Sequence, residues 1–176
     1  MSGNPDFDRD SELEGPAPDR EFLTFQMGTA AFAIPVRQVR EVLDYRPVEP
    51  LANAPSSVLG VIDVRNVAIP VMDLKSKLAM PDGERREVGS ETRIVVLEFV
   101  DGERQQTVAV IADAVHEVAD LGEEPIEAAP DVGEAWDSGF MKGLGRRKGA
   151  FLTLLEIDRL FDGAVARLAT KAALAA

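Results

Sequence analysis

From residue 21 onward, apolar and polar positions alternate with a period near two, the pattern of half-buried strands. In "EFLTFQMGTAAFAIP", Phe22, Thr24 and Gln26 alternate with Leu23, Phe25 and Met27. Gly28-Thr29 reads as a turn, and residues 31–34 as the returning strand. The period then changes. Val36, Val39, Val42 and Leu43 fall at helical spacing behind Pro35, which suits a first helical position, so a short helix is expected there. "YRPVEPLANAPSSV" is Pro-rich and extended. "GVIDVRNVAIPVMDL" is a β-branched run interrupted by Arg65 and Asn66. It reads as a hairpin, with strands at 58–64 and 67–72. The turn needs a positive φ, which asparagine tolerates better than any residue but glycine. Pro70 cannot donate to a ladder and marks its strand as an edge or bulged one.

"DLKSKLAMP" gives a short helical turn, and "DGERREVGS" a polar loop. "TRIVVLEFV" and "QQTVAVIAD" are strong strands joined at Asp101-Gly102. A shorter strand is expected at 115–121. Two more flank "GRRKG", followed by a short helix from about residue 155 to 161. The total is about nine or ten short strands and only short helices, a mainly β chain built as small barrels or a sandwich. The loop at 82–90 is the best internal boundary. It divides a first unit of about 21–88 from a second of about 89–163, with terminal strands free to exchange. Residues 164–176 are Ala-rich, with Val165, Leu168 and Ala172 in one helical stripe, and read as a helix or tail.

Composition narrows the function. The formal net charge is −12 over 176 residues, a field that repels nucleic acid and anionic headgroups. Asp6, Asp8, Asp10, Glu12, Glu14 and Asp19 crowd the first 20 residues. With few large apolar side chains, that segment reads as a disordered acidic tail rather than a secretory leader. No apolar run is long enough to span a bilayer, so the expected placement is the cytoplasm with no direct membrane insertion.

Catalytic and cofactor chemistry finds little to work with. There is no cysteine and one histidine, which excludes thiolate sites and metal sites built on several histidines. His116 lies in the alternating run "AVHEVADL" and reads as a solvent-facing strand residue. No "GxSxG" elbow accompanies it. "GLGRRKG" matches neither phosphate-loop template and joins strand to strand, so it reads as a basic hairpin turn. Asp113 with Glu117, and Glu123 with Glu124, are carboxylate pairs without the contrasting surroundings that acid–base work needs. One tryptophan, Trp136, and one tyrosine, Tyr45, make no stacking platform for single-stranded bases. No metal, cofactor or catalytic residue is expected. A barrel enzyme using His116 is the alternative from a different class.

Five segments, in order, resemble the chemotaxis coupling proteins of the CheW family. They are "FLTFQMGTAAFAIP", "VREV", "NAPSSVLGVIDVRNVAIPVMDLKSKL", "ADAVHEVADL" and "GLGRRKGAFLTLLEIDRLF", which together run from about residue 21 to 161. The chain departs from the family pattern at Asn66, where a glycine is usual, and at Ala112, Arg93 and Glu156. The resemblance implies two packed five-stranded SH3-like barrels over a shared apolar seam, with short connecting helices. It implies a non-enzymatic adaptor that bridges the tip of a methyl-accepting chemoreceptor to the regulatory domain of a CheA-type histidine kinase. Its place would be cytoplasmic, at membrane-associated receptor arrays reached through those partners. By position, the implied receptor surface is Val39, Arg40, Glu41, Gly60, Arg65 and Val118. The implied kinase surface is Pro55 with Val67, Ile69, Pro70 and Met72. A scaffold of the same fold that binds only one partner, or serves a non-motility pathway, is the alternative within the family.

Overall fold

The computed structural model describes residues 21–78, 80, 88–121, 126–128 and 139–161. The acidic start, the Ala-rich end, Glu123, Glu124, Trp136 and most of the 82–90 loop lie outside them. The described residues form ten strands: β1 (Glu21–Met27), β2 (Ala30–Pro35), β3 (Val39–Asp44), β4 (Val58–Val64), β5 (Val67–Met72), β6 (Arg93–Asp101), β7 (Arg104–Ala112), β8 (Ala114–Asp120), β9 (Met141–Arg147) and β10 (Ala150–Leu155). Two single-turn helices, α1 (Leu74–Lys77) and α2 (Ile157–Leu160), follow β5 and β10. The Asp73 carboxylate caps α1 by accepting from Ser76 N at 3.2 Å.

The strands make two five-stranded sheets of the SH3-like kind, ordered β8-β1-β2-β10-β9 and β3-β6-β7-β5-β4. Each contains one parallel pair, β10 with β2 and β5 with β7, and is otherwise antiparallel. The two sheets do not follow the chain order on either side of 82–90, and leading strands of each expected unit lie in the other's sheet. The first sheet takes β1 and β2 from before that loop and β8 to β10 from after it. The second takes β3 to β5 from before it and β6 and β7 from after. Sequential halves fail because each parallel pair joins strands that lie far apart in the chain.

Burial explains the continuous apolar runs. In β6, Val95, Leu97 and Phe99 enter a core shared by both sheets, whereas Ile94 and Val96 face a core enclosed by the second sheet alone. In β7, Val108, Val110 and Ala112 take the shared side and Ala109 and Ile111 the enclosed side. β1 splits likewise: Leu23, Phe25 and Met27 join the shared core, and Phe22 joins a third core with Leu152 and Leu154 of β10. Strands apolar on both faces have three cores to fill, one seam between the barrels and one inside each. Thr24 is the polar exception, 3% exposed. It sits at the bulge between Leu23 and Phe25 in the β1–β8 ladder, where its hydroxyl donates to Glu117 O at 2.8 Å and accepts from Glu117 N at 3.2 Å. The side chain thus replaces the ladder bonds that the bulge removes.

The helix expected from the Val36, Val39, Val42 and Leu43 spacing is a strand. Only Val36–Gln38 turns, as a single 3-10 turn, and β3 follows with Val39, Glu41 and Leu43 half-buried and Arg40, Val42 and Asp44 exposed. β-Branched valines satisfy both periods, and pairing with β6 decides between them.

The sheets meet at Asp113, the single residue between β7 and β8. Its backbone N donates to Gln26 O at 2.9 Å. Its carboxylate accepts from Gly28 N at 2.6 Å and from Lys75 Nζ, at 2.9 Å to Oδ2 and 3.2 Å to Oδ1. Lys75 is 6% exposed, a buried cation on α1 held by one carboxylate. One side chain thereby ties together the β1–β2 turn, the β7–β8 junction and the helix after β5.

Candidate partner-binding surface

The β4–β5 hairpin turns at Arg65 and Asn66, with φ of 51° and 67°. Two successive positive-φ residues give the turn whose twist matches its strands. Asn66 has the positive φ expected of it, and Arg65 shares that conformation. The turn is pinned from inside: Asn66 N donates to Asp63 Oδ1 at 2.8 Å, and Arg46 Nη1 donates to Asp63 O at 2.8 Å. Replacing Asn66 by valine is expected to cost about 1–2 kcal/mol, and by glycine little. Thermal melts of the three forms test this, and equal midpoints would refute it.

From that tip Arg65 reaches across to β3. Its guanidinium donates to both oxygens of Glu41, Nη1 to Oε1 at 3.1 Å and Nη2 to Oε2 at 2.8 Å. The Arg65 side chain stays 70% exposed while that of Glu41 is 16% exposed. A two-bond fork fixes the guanidinium plane, although an exposed pair contributes only about 0.5–1 kcal/mol to stability. The product is a positioned cation at a rigid edge.

The other residues expected at this surface divide. Val39, opposite Leu97, packs against the shared core, whereas Glu41, past the β3 bulge and opposite Val96, lies on the other face. Arg40, the extra residue of that bulge, is exposed and pairs with Glu98 at 3.7 Å. Val118 is 53% exposed, on β8 at the edge of the other sheet. Gly60 is buried: a Cβ there would collide with the Glu49 carbonyl and stand 2.9 Å from Val48 Cγ1. It holds the Glu49 segment against β4 and offers no contact of its own.

On the implied kinase surface, Ile69 and Met72 require correction. They are 2% and 0% exposed, in the second sheet's enclosed core and the shared core, and present nothing to a partner. Alternation along β5 sends them to opposite faces, and both faces are covered by cores. Val67, 56% exposed, and Pro55 are on the surface, and Pro70 is half-buried. Of the two readings of Pro70, an edge strand or a bulged one, the first does not hold, since β5 lies between β7 and β4; the β4–β5 ladder does bulge, between Val58 and Gly60. The pairing of β5 with β7 covers only Val71 and Met72. Val61, opposite Pro70, sends both backbone bonds to Glu49 instead, at 2.8 and 2.9 Å. Pro70 therefore occupies a non-hydrogen-bonded pair on a stretch whose far edge is open, where a missing N–H removes no ladder bond.

The "GRRKG" turn is a basic hairpin, with Lys148 and Gly149 at φ of 50° and 79°. Arg147 pairs with Glu117 at 2.8 Å. Arg146 pairs with Glu127 at 3.0 Å and stacks on Phe151, 4.6 Å from its ring centroid. His116 is exposed on β8. The Asp113 and Glu117 carboxylates, considered above as a pair, go to Lys75 and to Arg147. Among the described residues no cluster of three or more His, Asp or Glu could hold a metal ion, and no helix is long and apolar enough to cross a membrane. Sequence reasoning missed the Lys75–Asp113–Gly28 tie. Nothing in "DLKSKL" sets Lys75 apart from Lys77, so the sequence carried no signal for it.

Residues 21–165 match the family model described as the CheW-like domain. The chemotaxis protein CheW of Klebsiella aerogenes is 31% identical over 152 residues, covering 86% of this chain and 87% of that one. That of Rhizobium meliloti is 28% identical over 142 residues, covering 81% and 87%. Among solved structures, the scaffolding protein TtCheW from Thermoanaerobacter tengcongensis superposes with a TM-score of 0.70 at 25% identity, over 86% of this chain and 93% of that one.

Proposed function

The chain belongs to the CheW-like domain family, and on that premise we propose that it is a non-enzymatic chemotaxis adaptor coupling chemoreceptor tips to the regulatory domain of a CheA-type histidine kinase. It works at receptor arrays, which it reaches through those partners. The observation that carries this reading is the family match over both sheets, 21–165, joined to a rigid turn that presents Arg65 beside Glu41. A receptor tip is a helical hairpin, and its apolar stripe suits a surface of small apolar side chains rimmed by fixed charge. Arg65 and Glu41 set register and orientation there, Val39 and Val118 supply apolar contact, and Arg40 stands exposed at the β3 bulge. Val67, Pro55 and Pro70 face the kinase, whose regulatory domain meets this one barrel to barrel.

Co-purification with a receptor-tip fragment and with a kinase regulatory domain, each alone and then together, tests the proposal. Ternary assembly is expected. Capture of one partner only would make the chain a single-partner scaffold, and capture of neither would overturn the reading. Arg65→Ala is expected to keep the fold and weaken receptor-tip binding roughly 3- to 10-fold, since one positioned rim charge contributes about 1 kcal/mol. Unchanged assembly by a correctly folded Arg65→Ala variant would remove Arg65 from the site.

A further inference from the structure

The Arg65 turn has a counterpart in the other barrel. The sheet orders β8-β1-β2-β10-β9 and β3-β6-β7-β5-β4 correspond strand for strand. Along the chain, "GLGRRKGAFLTLLEIDRL" repeats the layout of "GVIDVRNVAIPVMDLKSK" at a constant offset. Gly60 and Gly143 open the two segments. A Cβ on either would run into a backbone carbonyl, that of Glu49 or of Glu127. Each of those residues bridges to the position after its glycine, Val61 or Leu144. The parallel pairs include Val71 and Leu154, and the single-turn helices start at Leu74 and Ile157. By this correspondence Lys148 stands where Arg65 does, with φ of 50° against 51°. Glu117 stands where Glu41 does, at the bulge of the first strand in its sheet order.

Charge separates the two turns. At the Arg65 turn one guanidinium meets one carboxylate, and the fork is neutral. In the other barrel Arg147 stands where the buried Val64 does and takes the Glu117 carboxylate at 2.8 Å. Lys148 Nζ is left 3.9 Å from that carboxylate, on a side chain 80% exposed. Two cations thus share one anion, and the turn keeps a positive charge in a molecule whose formal net charge is −12. The strand beneath is fixed, because the Thr24 hydroxyl bonds both backbone groups of Glu117. The same bulge leaves His116, Glu117 and Val118 all exposed, so the charged turn is continuous with Val118 of the receptor surface.

We propose that Lys148 is a further receptor-contact residue, which meets a carboxylate on the receptor tip beside the apolar contact at Val118. The inference rests on the adaptor reading and adds to it a cation on the second barrel. Two fixed cations, one from each barrel, define the orientation of a helical hairpin that a single one leaves free. They also select among tips, since a basic residue opposite Lys148 is repelled.

The test measures binding of the full-length chain to a receptor-tip fragment and to a kinase regulatory domain. Wild type, Arg65→Ala, Lys148→Glu, Lys148→Gln, Lys148→Arg and Lys142→Glu are compared. The last makes the same change of net charge on an exposed lysine at the other end of β9. Receptor-tip binding is expected to fall roughly 10-fold in Lys148→Glu and about 3-fold in Lys148→Gln, and to change less than about 2-fold in Lys148→Arg and Lys142→Glu. Kinase binding should hold in all four, and the loss in Lys148→Glu should shrink at high salt. If folded Lys148→Glu and Lys148→Gln bind the receptor tip as wild type does while Arg65→Ala is weakened, this inference falls and the adaptor reading stands. Equal losses in Lys142→Glu, or equal losses toward the kinase domain, would overturn it as well. A wild-type chain that binds no receptor tip would remove the reading and the inference together.

Discussion

Gly60→Ala is expected to lower the stability of the whole protein by about 3 kcal/mol, the sum of backbone strain and a steric clash. At φ 149° an L side chain is strained whatever the space, and the space is missing as well. The new Cβ would run into the Glu49 carbonyl, whose oxygen accepts from Val61 N at 2.8 Å. Glu49 cannot retreat without breaking the bridge that covers the outer edge of β4. For a chain of this length the midpoint of thermal melting should fall by about 6–12 °C. The functional signature is also specific. Binding to receptor tip and to kinase domain should fall together, in proportion to the unfolded fraction, whereas Arg65→Ala is expected to weaken receptor binding alone. A stable Gly60→Ala variant that loses only receptor binding would return Gly60 to the contact surface.

The second large effect is at the junction of the sheets. Asp113→Ala should cost about 3 kcal/mol, because it leaves Lys75 buried without its carboxylate and Gly28 N without its acceptor. The partial exposure of Asp113, 28% of its side chain, keeps the figure at the low end for a broken buried pair. Lys75→Met should cost less, about 1 kcal/mol, since the remaining carboxylate still meets water and Gly28. The decisive measurement is the double variant. Once Lys75 is methionine, removing Asp113 should cost about 1 kcal/mol or less, and denaturant titrations of the four forms give that coupling. Additive losses would mean that the pair is incidental to the junction.

Much of the architecture was readable before any coordinates. The hairpins at Gly28-Thr29, Arg65-Asn66 and Lys148-Gly149 carry their own turn chemistry, and the strands around them follow within a residue or two. β3 was misread because valines at 36, 39, 42 and 43 serve a helix or a strand equally. Only the neighbour, β6, chooses. Strand order was out of reach, since pairing β10 with β2 depends on a shared core and on no local signal. The candidate surface divides in the same way. Arg65 could be found because a turn-former beside a cation interrupts an apolar run. Its fork with Glu41 joins positions 24 residues apart and needs the fold. Ile69 and Met72 were placed at the surface by position within a motif, but they point to opposite faces of β5 and a core covers each.

The crossing of strands between the sheets also sets an order in time. Of the described strands the β1–β2 hairpin is made first, yet its neighbours in the sheet, β8 and β10, are among the last three. The second sheet can close once β7 emerges. The first keeps the β1 edge open until β8 is complete at residue 120, and the β2 edge until β10 is complete at residue 155. Such edges are where nascent chains associate wrongly. For this protein the exposed interval of synthesis belongs to its first-made strands.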